Sequence, residues 1–327
     1  MKNLLVTLLS IMALLSGCSL PRINLFPGEE PLKETTLQGT GKDKILVVNV
    51  NGLISNKPDE QLLRSHPSMV QEVVAQLRQA QKDSQVKALL LNINSPGGTV
   101  TASDILYHEI KQFKERSKVK VVVSMMDVTA SGGYYISQPA DYIFAHPTTV
   151  TGSIGVIFAR PGVSGLMDKV GLTMDVNTSG KLKDMGSPFR PPTMEEQAIF
   201  QQLTDKLADR FIGLVVESRH LQPEQGKLIA TARVFLAPEA REIGLVDQIG
   251  YIDEAIAKAR ELANLPENAR VIVYRHGEAE NDTIYNTPSQ HEGGNPLLSP
   301  LLSPWSSVAE SGFFYLWPAV IDQMRMP

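Results

Sequence analysis

The chain has 327 residues but only one cysteine, two tryptophans and six histidines. A lone cysteine, Cys18, excludes an internal disulfide and any cysteine-rich metal site. Lys plus Arg number 31 against 35 Asp plus Glu, a net charge of −4, so no basic surface for nucleic acid is suggested. No apolar run is long enough to cross a bilayer as a helix, which takes about 20 residues. Both tryptophans, Trp305 and Trp317, lie near the C-terminus. The histidines are His66, His108, His146, His220, His276 and His291, and none stands in a glycine-framed turn. A histidine-based triad therefore has no obvious base. His146 comes nearest, and a structural role is expected for it.

The N-terminus reads "MKNLLVTLLSIMALLSGCSL". One lysine precedes a short apolar run and then Ser16, Gly17 and Cys18, the pattern of a secretory signal. "LLSGC" resembles the lipobox of bacterial lipoproteins, in which the cysteine is lipidated and becomes the mature first residue. It implies a signal peptide at 1–17 and a diacylated or triacylated Cys18, hence a place in the cell envelope on the extracytoplasmic side. Ser19, standing where an aspartate would retain such proteins in the inner membrane, favours the outer membrane, facing the periplasm. Residues 18–43 are polar and punctuated by Pro and Gly, as expected of a tether.

From 44 to 265 strand-like and helix-like stretches alternate. "ILVVNVNG", "VKALLLNIN", "VKVVVSMM", "DYIFA" and "LTMDVNT" read as strands. "MVQEVVAQLRQAQ", "ASDILYHEIKQFKE" and the long "TMEEQAIFQQLTDKLADRFIGLVVESR" read as helices. This predicts α/β layers around a mainly parallel sheet. Residues 266–327 are expected to add a strand and a flexible, partly apolar tail. "GEAENDTIYNTPSQHEGGNP" has the composition of disorder. "FFYLWPAVI" suits lipid, a neighbouring subunit or a free end.

Two turns carry chemistry. In "DVTASGGYYIS", Ser131 follows a strand, and Gly132 and Gly133 open a helix. Read alone, a capping serine explains that turn as well. In "NINSPGGTV", a second strand ends in Ser95-Pro96-Gly97-Gly98. Ligands of parallel sheets bind beyond the carboxyl ends of the strands, where both turns can lie. Backbone N–H groups of Gly132 and of the Gly97–Gly98 segment could then hold one oxyanion beside the Ser131 hydroxyl. The first glycine of G-x-S-x-G is replaced by Thr129, so an α/β-hydrolase elbow is excluded. With no framed histidine, the base left is a lysine of "NTSGKLKDMGSPFRPPT", Lys181 or Lys183. It would have to be desolvated to act while neutral.

"NSPGG", "ASGGYYIS", "TGSIGV", "SGKLKDMGSPFR" and "AREIGLVDQIG" occur in that order, and with them the chain resembles the signal peptide peptidase A family. These are Ser/Lys serine peptidases of the ClpP/crotonase-like fold, a repeated ββα superhelix with a mainly parallel sheet. The resemblance implies Ser131 as nucleophile, Lys183 as general base and Ser153 as the hydroxyl that orients the lysine amine. Gly98 and Gly132 would supply the oxyanion N–H groups, with Gly97 a rival for the first. Thr129 stands where alanine is usual. The resemblance further implies a peptidase domain at 44–265 and apolar peptide substrates such as cleaved signal peptides. It implies no metal or cofactor, and a homo-oligomeric ring in which serine and lysine come from neighbouring protomers. Two other classes compete: a non-catalytic peptide-binding scaffold on the same fold, and an acyl-CoA enzyme of the crotonase type. The intact serine and lysine set weighs against the first. The secretion signal weighs against the second.

Overall fold

The computed structural model describes residues 31–61, 64–276, 283–285 and 312–318. β1 (Lys33–Gln38) and β2 (Lys44–Asn51) open the fold, and β3 (Asp59–Gln61) pairs antiparallel with β4 (Arg64–His66). Next come α1 (Met69–Gln81), β5 (Val86–Ser95), β6 (Gly97–Thr99) and α2 (Val100–Ser117). β7 (Lys120–Ala130) runs into a single turn, α3 (Gly132–Tyr135). β8 (Tyr142–Ala145), β9 (Val150–Gly152), β10 (Ile157–Ala159) and α4 (Ser164–Val170) follow. The remainder is α5 (Met194–Arg219), α6 (Pro223–Ile229), β11 (Val234–Leu236), α7 (Ala237–Glu242), β12 (Gln248–Ile249), α8 (Ile252–Leu262), β13 (Arg270–Arg275) and β14 (Gly312–Leu316).

The main sheet runs β1-β13-β2-β5-β7-β8-β12, with β9 joined to β7 and β11 to β9. From β13 to β12 these neighbours are parallel, and β1 closes one edge antiparallel. The central strands are apolar on both faces because helices cover both. Leu46, Leu89, Leu91 and Val123 pack under α1 and α2, while Ile45, Leu90 and Val122 pack under α8. That is why these strands read as continuous β-branched and leucine runs rather than as alternating ones. Each fully buried leucine or valine contributes roughly 1.5–3 kcal/mol, so this double burial is the main source of stability.

The helices begin where their caps stand. Ser68 and Gln71 form a reciprocal capping box at α1, and Thr193 and Glu196 do so at α5. Thr99 caps α2 by accepting from the Ala102 N–H. Long α5 buries only Glu196, Phe211 and Val215, so most of it faces outward.

Two stretches differ from the sequence expectation. Residues 33–38, expected in the tether, form strand β1. Lys44 is nearly buried and donates to Glu34 of β1 at 2.8 Å and to Asp83 at 2.6 Å, which holds this polar strand on the edge. "LTMDVNT" forms no strand, and no described strand pairs with it. Its alternating Leu172, Met174 and Val176 are left more than half exposed. "GEAENDTIYNTPSQHEGGNP" lies almost wholly outside the described residues, as does Cys18. No described helix is long and apolar enough to cross a membrane.

Candidate active site

Parallel strands β5, β7 and β9 end at one edge of the sheet, and the predicted turns meet there. β7 stops at Ala130. Ser131 then takes φ 50° and ψ −115°, a sparsely populated backbone state for a residue with a Cβ. Such a state costs about 1–3 kcal/mol and persists only when its surroundings hold it. Here the Ser131 N–H donates to the Gly152 carbonyl at 2.7 Å, and the Ser131 carbonyl accepts from the Tyr135 N–H at 2.8 Å. The residue is 1% exposed and its hydroxyl has no hydrogen-bond partner among the described residues. A buried hydroxyl left without a partner is uncommon and calls for an explanation. A Cβ on Gly132 would come within 2.5 Å of Ser103 Oγ, so only glycine fits there.

The second turn is set by Ser95. Its hydroxyl donates to the Gly52 carbonyl at 2.6 Å and accepts from the Gly97 N–H at 3.1 Å. The Gly97 N–H is thereby engaged. Gly98 is wedged against Ile54: a Cβ there would lie 1.8 Å from the Ile54 oxygen. The Gly97 carbonyl accepts from Ile54 and the Thr99 N–H donates to it, so both point to one edge of β6. The Gly98 N–H and carbonyl then point to the other edge.

That other edge is filled by β14. It lies between β6 and β10 in a three-stranded antiparallel sheet, with Tyr315 opposite Gly98 and Phe314 opposite Ile157. The Trp317 N–H donates to the Pro96 carbonyl at 2.8 Å, which fixes the phase of the ladder. Hydrogen-bonded pairs alternate along an antiparallel ladder, so the Gly98 N–H faces the Tyr315 carbonyl. A Cβ on Gly97 would lie 2.0 Å from Tyr315 O and 2.7 Å from Gly132 N. Carbonyl, Gly98 and Gly132 thus share one small space. No signal in the sequence placed 312–316 here.

"TGSIGV" supplies the third edge. β9 pairs with the end of β7, Ala130 opposite Gly152, and Ser153 comes next. Ser153 is buried, takes φ 51°, and donates its N–H to the Arg233 carbonyl at 2.9 Å. Thr129 fits without strain: its hydroxyl donates to Ile93 O at 2.7 Å, and Thr151 donates to Thr129 O at 2.6 Å.

Lys183 is not brought to this cluster. It lies exposed in the irregular stretch between α4 and α5, and its amine makes no hydrogen bond or ion pair with any described residue. Lys181, also exposed, pairs with Glu195. The loop itself is anchored. Arg190 grips Asp184 through two nitrogens, at 2.7 and 2.8 Å, and reaches the carboxylate of Glu196. The Arg190 guanidinium, with a backbone N–H from Thr193, holds the Glu196 carboxyl down at about 2. Asp184 is likewise lowered by Arg190. His146 bonds Thr148 at 2.8 Å and packs edge-on against Tyr251, as a structural histidine does.

The sequence profile of peptidase family S49 matches residues 113–266, and that of Clp protease matches residues 64–149. "Putative signal peptide peptidase SppA" of Enterococcus faecium is 36% identical over 80% of this chain and 76% of its own. "Protease 4" of Haemophilus influenzae is 37% identical over 70% of this chain, and "Serine protease SPPA, chloroplastic" of Arabidopsis thaliana 33% over 73%. This chain spans 36% of the length of each of these last two. Among solved structures, a ClpP1 mutant from Listeria monocytogenes superposes with a TM-score of 0.42 at 19% identity, over 64% of this chain and 94% of that one.

Proposed function

Because the chain belongs to peptidase family S49, and is a serine peptidase of the ClpP/crotonase-like α/β fold, we propose that it is a lipid-anchored extracytoplasmic endopeptidase working through a Ser131/Lys183 dyad. Ser131 Oγ attacks the peptide carbonyl. Lys183 takes its proton and later gives it to the leaving amine. Ser153, one residue past the strand end that holds the Ser131 N–H, orients the lysine amine. The N–H groups of Gly98 and Gly132 hold the oxyanion, and each such donor is worth roughly 3–4 kcal/mol of barrier. Gly97 drops out of this role because its N–H already serves Ser95.

The observation that carries the reading is the Ser131 hydroxyl, buried, without a partner among the described residues and held in a strained backbone state beside two glycine turns. The exposed Lys183 supports the shared-site form of it. A lysine is a base only when desolvated, and a neighbouring protomer laid over the loop would desolvate it. A homo-oligomeric ring with serine and lysine from adjacent subunits meets that need. It would also fence the site, leaving it open to extended peptides. Apolar peptides such as remnant signal peptides fit the name of the Enterococcus relative, a signal peptide peptidase. Lipidated Cys18 would keep the enzyme at the membrane where such peptides are released, and Ser19 after it favours the outer membrane. The domain limits go with this reading: signal peptide to 17, a catalytic domain from about 44, and a C-terminal extension.

A fluorophosphonate probe tests the dyad. Labelling should appear on Ser131 in the assembled protein and vanish in Ser131→Ala and Lys183→Ala. Absence of labelling in assembled wild-type protein across pH would favour the non-catalytic scaffold.

A further inference from the structure

The residue that follows Lys183 is an acid, Asp184. A carboxylate free to reach a lysine amine keeps the proton on it, the opposite of what a general base needs. This carboxylate is not free. Arg190 Nε donates to Asp184 Oδ2 at 2.7 Å and Nη2 donates to Oδ1 at 2.8 Å, so both oxygens are held. Nη1 donates to Glu196 Oε2 at 3.0 Å and to the Pro191 carbonyl at 3.1 Å, and Nη2 also reaches Glu196 Oε1. The guanidinium thereby has an acceptor for every N–H it carries. Glu196 is itself fixed at the start of α5, where its carboxylate accepts from the Thr193 N–H at 2.8 Å.

The loop keeps its shape within its own subunit. The Lys183 N–H donates to the Gly180 carbonyl and the Ser187 N–H to the Asp184 carbonyl, both at 3.0 Å, and Gly186 takes φ 88°. Arg160 Nη1 donates to the Ser187 carbonyl at 2.8 Å, and the Val163 N–H donates to the Pro188 carbonyl at 2.8 Å, which ties the loop to the segment entering α4. The other charges on the loop and its neighbours are placed differently. Lys181 pairs with Glu195 of α5, Arg160 is engaged at Ser187, and Asp168, Lys169 and Asp175 are exposed on α4 and just after it.

We propose that Arg190 is a positioning residue for the general base: by closing its fork on Asp184 it holds the carboxylate next to Lys183 away from the amine, so that the amine can give up its proton when the site assembles. This rests on Lys183 being the base for Ser131. A lysine at 190 could not do the same, because a single ammonium has no fork. Glu196 would keep that ammonium, since its side chain is 1% exposed and an unpaired buried carboxylate is the costlier one to leave. Asp184, 22% exposed, would be released beside Lys183.

The experiment times fluorophosphonate labelling of Ser131 across pH on the assembled full chain, as wild type, Arg190→Lys, Asp184→Asn/Arg190→Lys and Lys183→Ala. Wild-type labelling should rise with pH. In Arg190→Lys the rise should move about one unit to higher pH, so the deficit against wild type is about tenfold at low pH and narrows as pH increases. Adding Asp184→Asn removes the freed carboxylate and should return the rise to its wild-type position. An arginine that merely braced the loop would give another result: labelling lower by one factor at every pH, with no recovery on adding Asp184→Asn. That result overturns the proposal. Lys181→Glu keeps the test open if Arg190→Lys does not assemble. It is an exposed change that places near Lys183 a carboxylate the occupied fork cannot hold, and it should move the rise upward too; an unmoved rise overturns the proposal. If Lys183→Ala labels like wild type at every pH, Lys183 is not the base and the proposal falls with that reading. If Lys183→Ala is silent while Arg190→Lys keeps the wild-type profile, the proposal alone falls.

Discussion

Ser131 and Ser153 make the same step at the ends of adjacent parallel strands. Ala130 lies opposite Gly152, the Ser131 N–H bonds the Gly152 carbonyl, and both serines turn into positive φ, 50° and 51°. The two hydroxyls are therefore carried by one backbone device. Ser153→Ala should lower kcat by about tenfold, the worth of one hydrogen bond to the base. It should leave Tm nearly unchanged, since that hydroxyl bonds no described residue. Steady-state kinetics and thermal unfolding on the same preparation decide it.

Ser131→Ala and Lys183→Ala, each inactive, should regain partial turnover when co-expressed with different tags and purified through both. Some interfaces then carry an intact serine and an intact lysine. Verified mixed particles with no turnover would place both groups in one chain. Lys183→Arg should be inactive because arginine stays charged, whereas Lys181→Ala should keep most activity.

Gly98→Ala should lower kcat/KM by roughly a hundredfold to a thousandfold and lower Tm as well, because its Cβ meets the Ile54 oxygen. Gly213→Ala, on the exposed side of α5 with nothing within 4 Å, should raise stability by about 1 kcal/mol with activity unchanged. Seeing both in parallel separates crowding at the turn from glycine substitution in general.

Glu196→Gln keeps the capping geometry but removes the charge that Arg190 grips. The Glu196 carboxyl sits at about 2 in the folded chain against 4.5 ordinarily. Its contribution to stability is therefore complete above 4.5 and fades as pH falls toward 2. The gap in Tm between wild type and Glu196→Gln should be widest at neutral pH and close on acidification. A gap that stays constant with pH would mean the charge is not what stabilises the loop.

Cys18→Ser should move the protein from the membrane fraction to the soluble one without loss of activity on soluble peptides. Two or more acyl chains give stable anchoring where one is marginal. Mass spectrometry of the native N-terminal peptide should find Cys18 first and acylated.

Strands β2, β5 and β7 are evident in the sequence because burial on both faces leaves their central stretches, 45–48, 88–91 and 121–123, wholly apolar. The Ser131 turn is evident because few purposes require serine followed by two glycines at a strand end. β1 escapes notice for the opposite reason: its residues, "KETTLQ", are polar, and only the distant pairing with β13 and the Lys44–Glu34 contact make it a strand. "LTMDVNT" misleads because alternation states a preference for a sheet without supplying a neighbour. β14 is the hardest case. Its apolar run is plain, but the partners β6 and β10 stand well over a hundred residues away, and nothing local says which edges are open. The lysine is visible as a residue type, yet its loop carries no local signal of where the amine lies, and the described residues leave it exposed.

The gap between β6 and β10 is one strand wide, and β14 fills it by pairing antiparallel along both edges. Neighbouring strands stand about 4.8 Å apart, so the gap admits a single extended backbone and rejects a helix of about 10 Å diameter outright. Conformation is tested before sequence: a polypeptide must already be unwound, at about 1–2 kcal/mol per residue of lost backbone freedom, before any side chain can be read. A helical peptide would have to unwind before it could lie along β6, so the fold sets a conformational demand on any occupant of this edge.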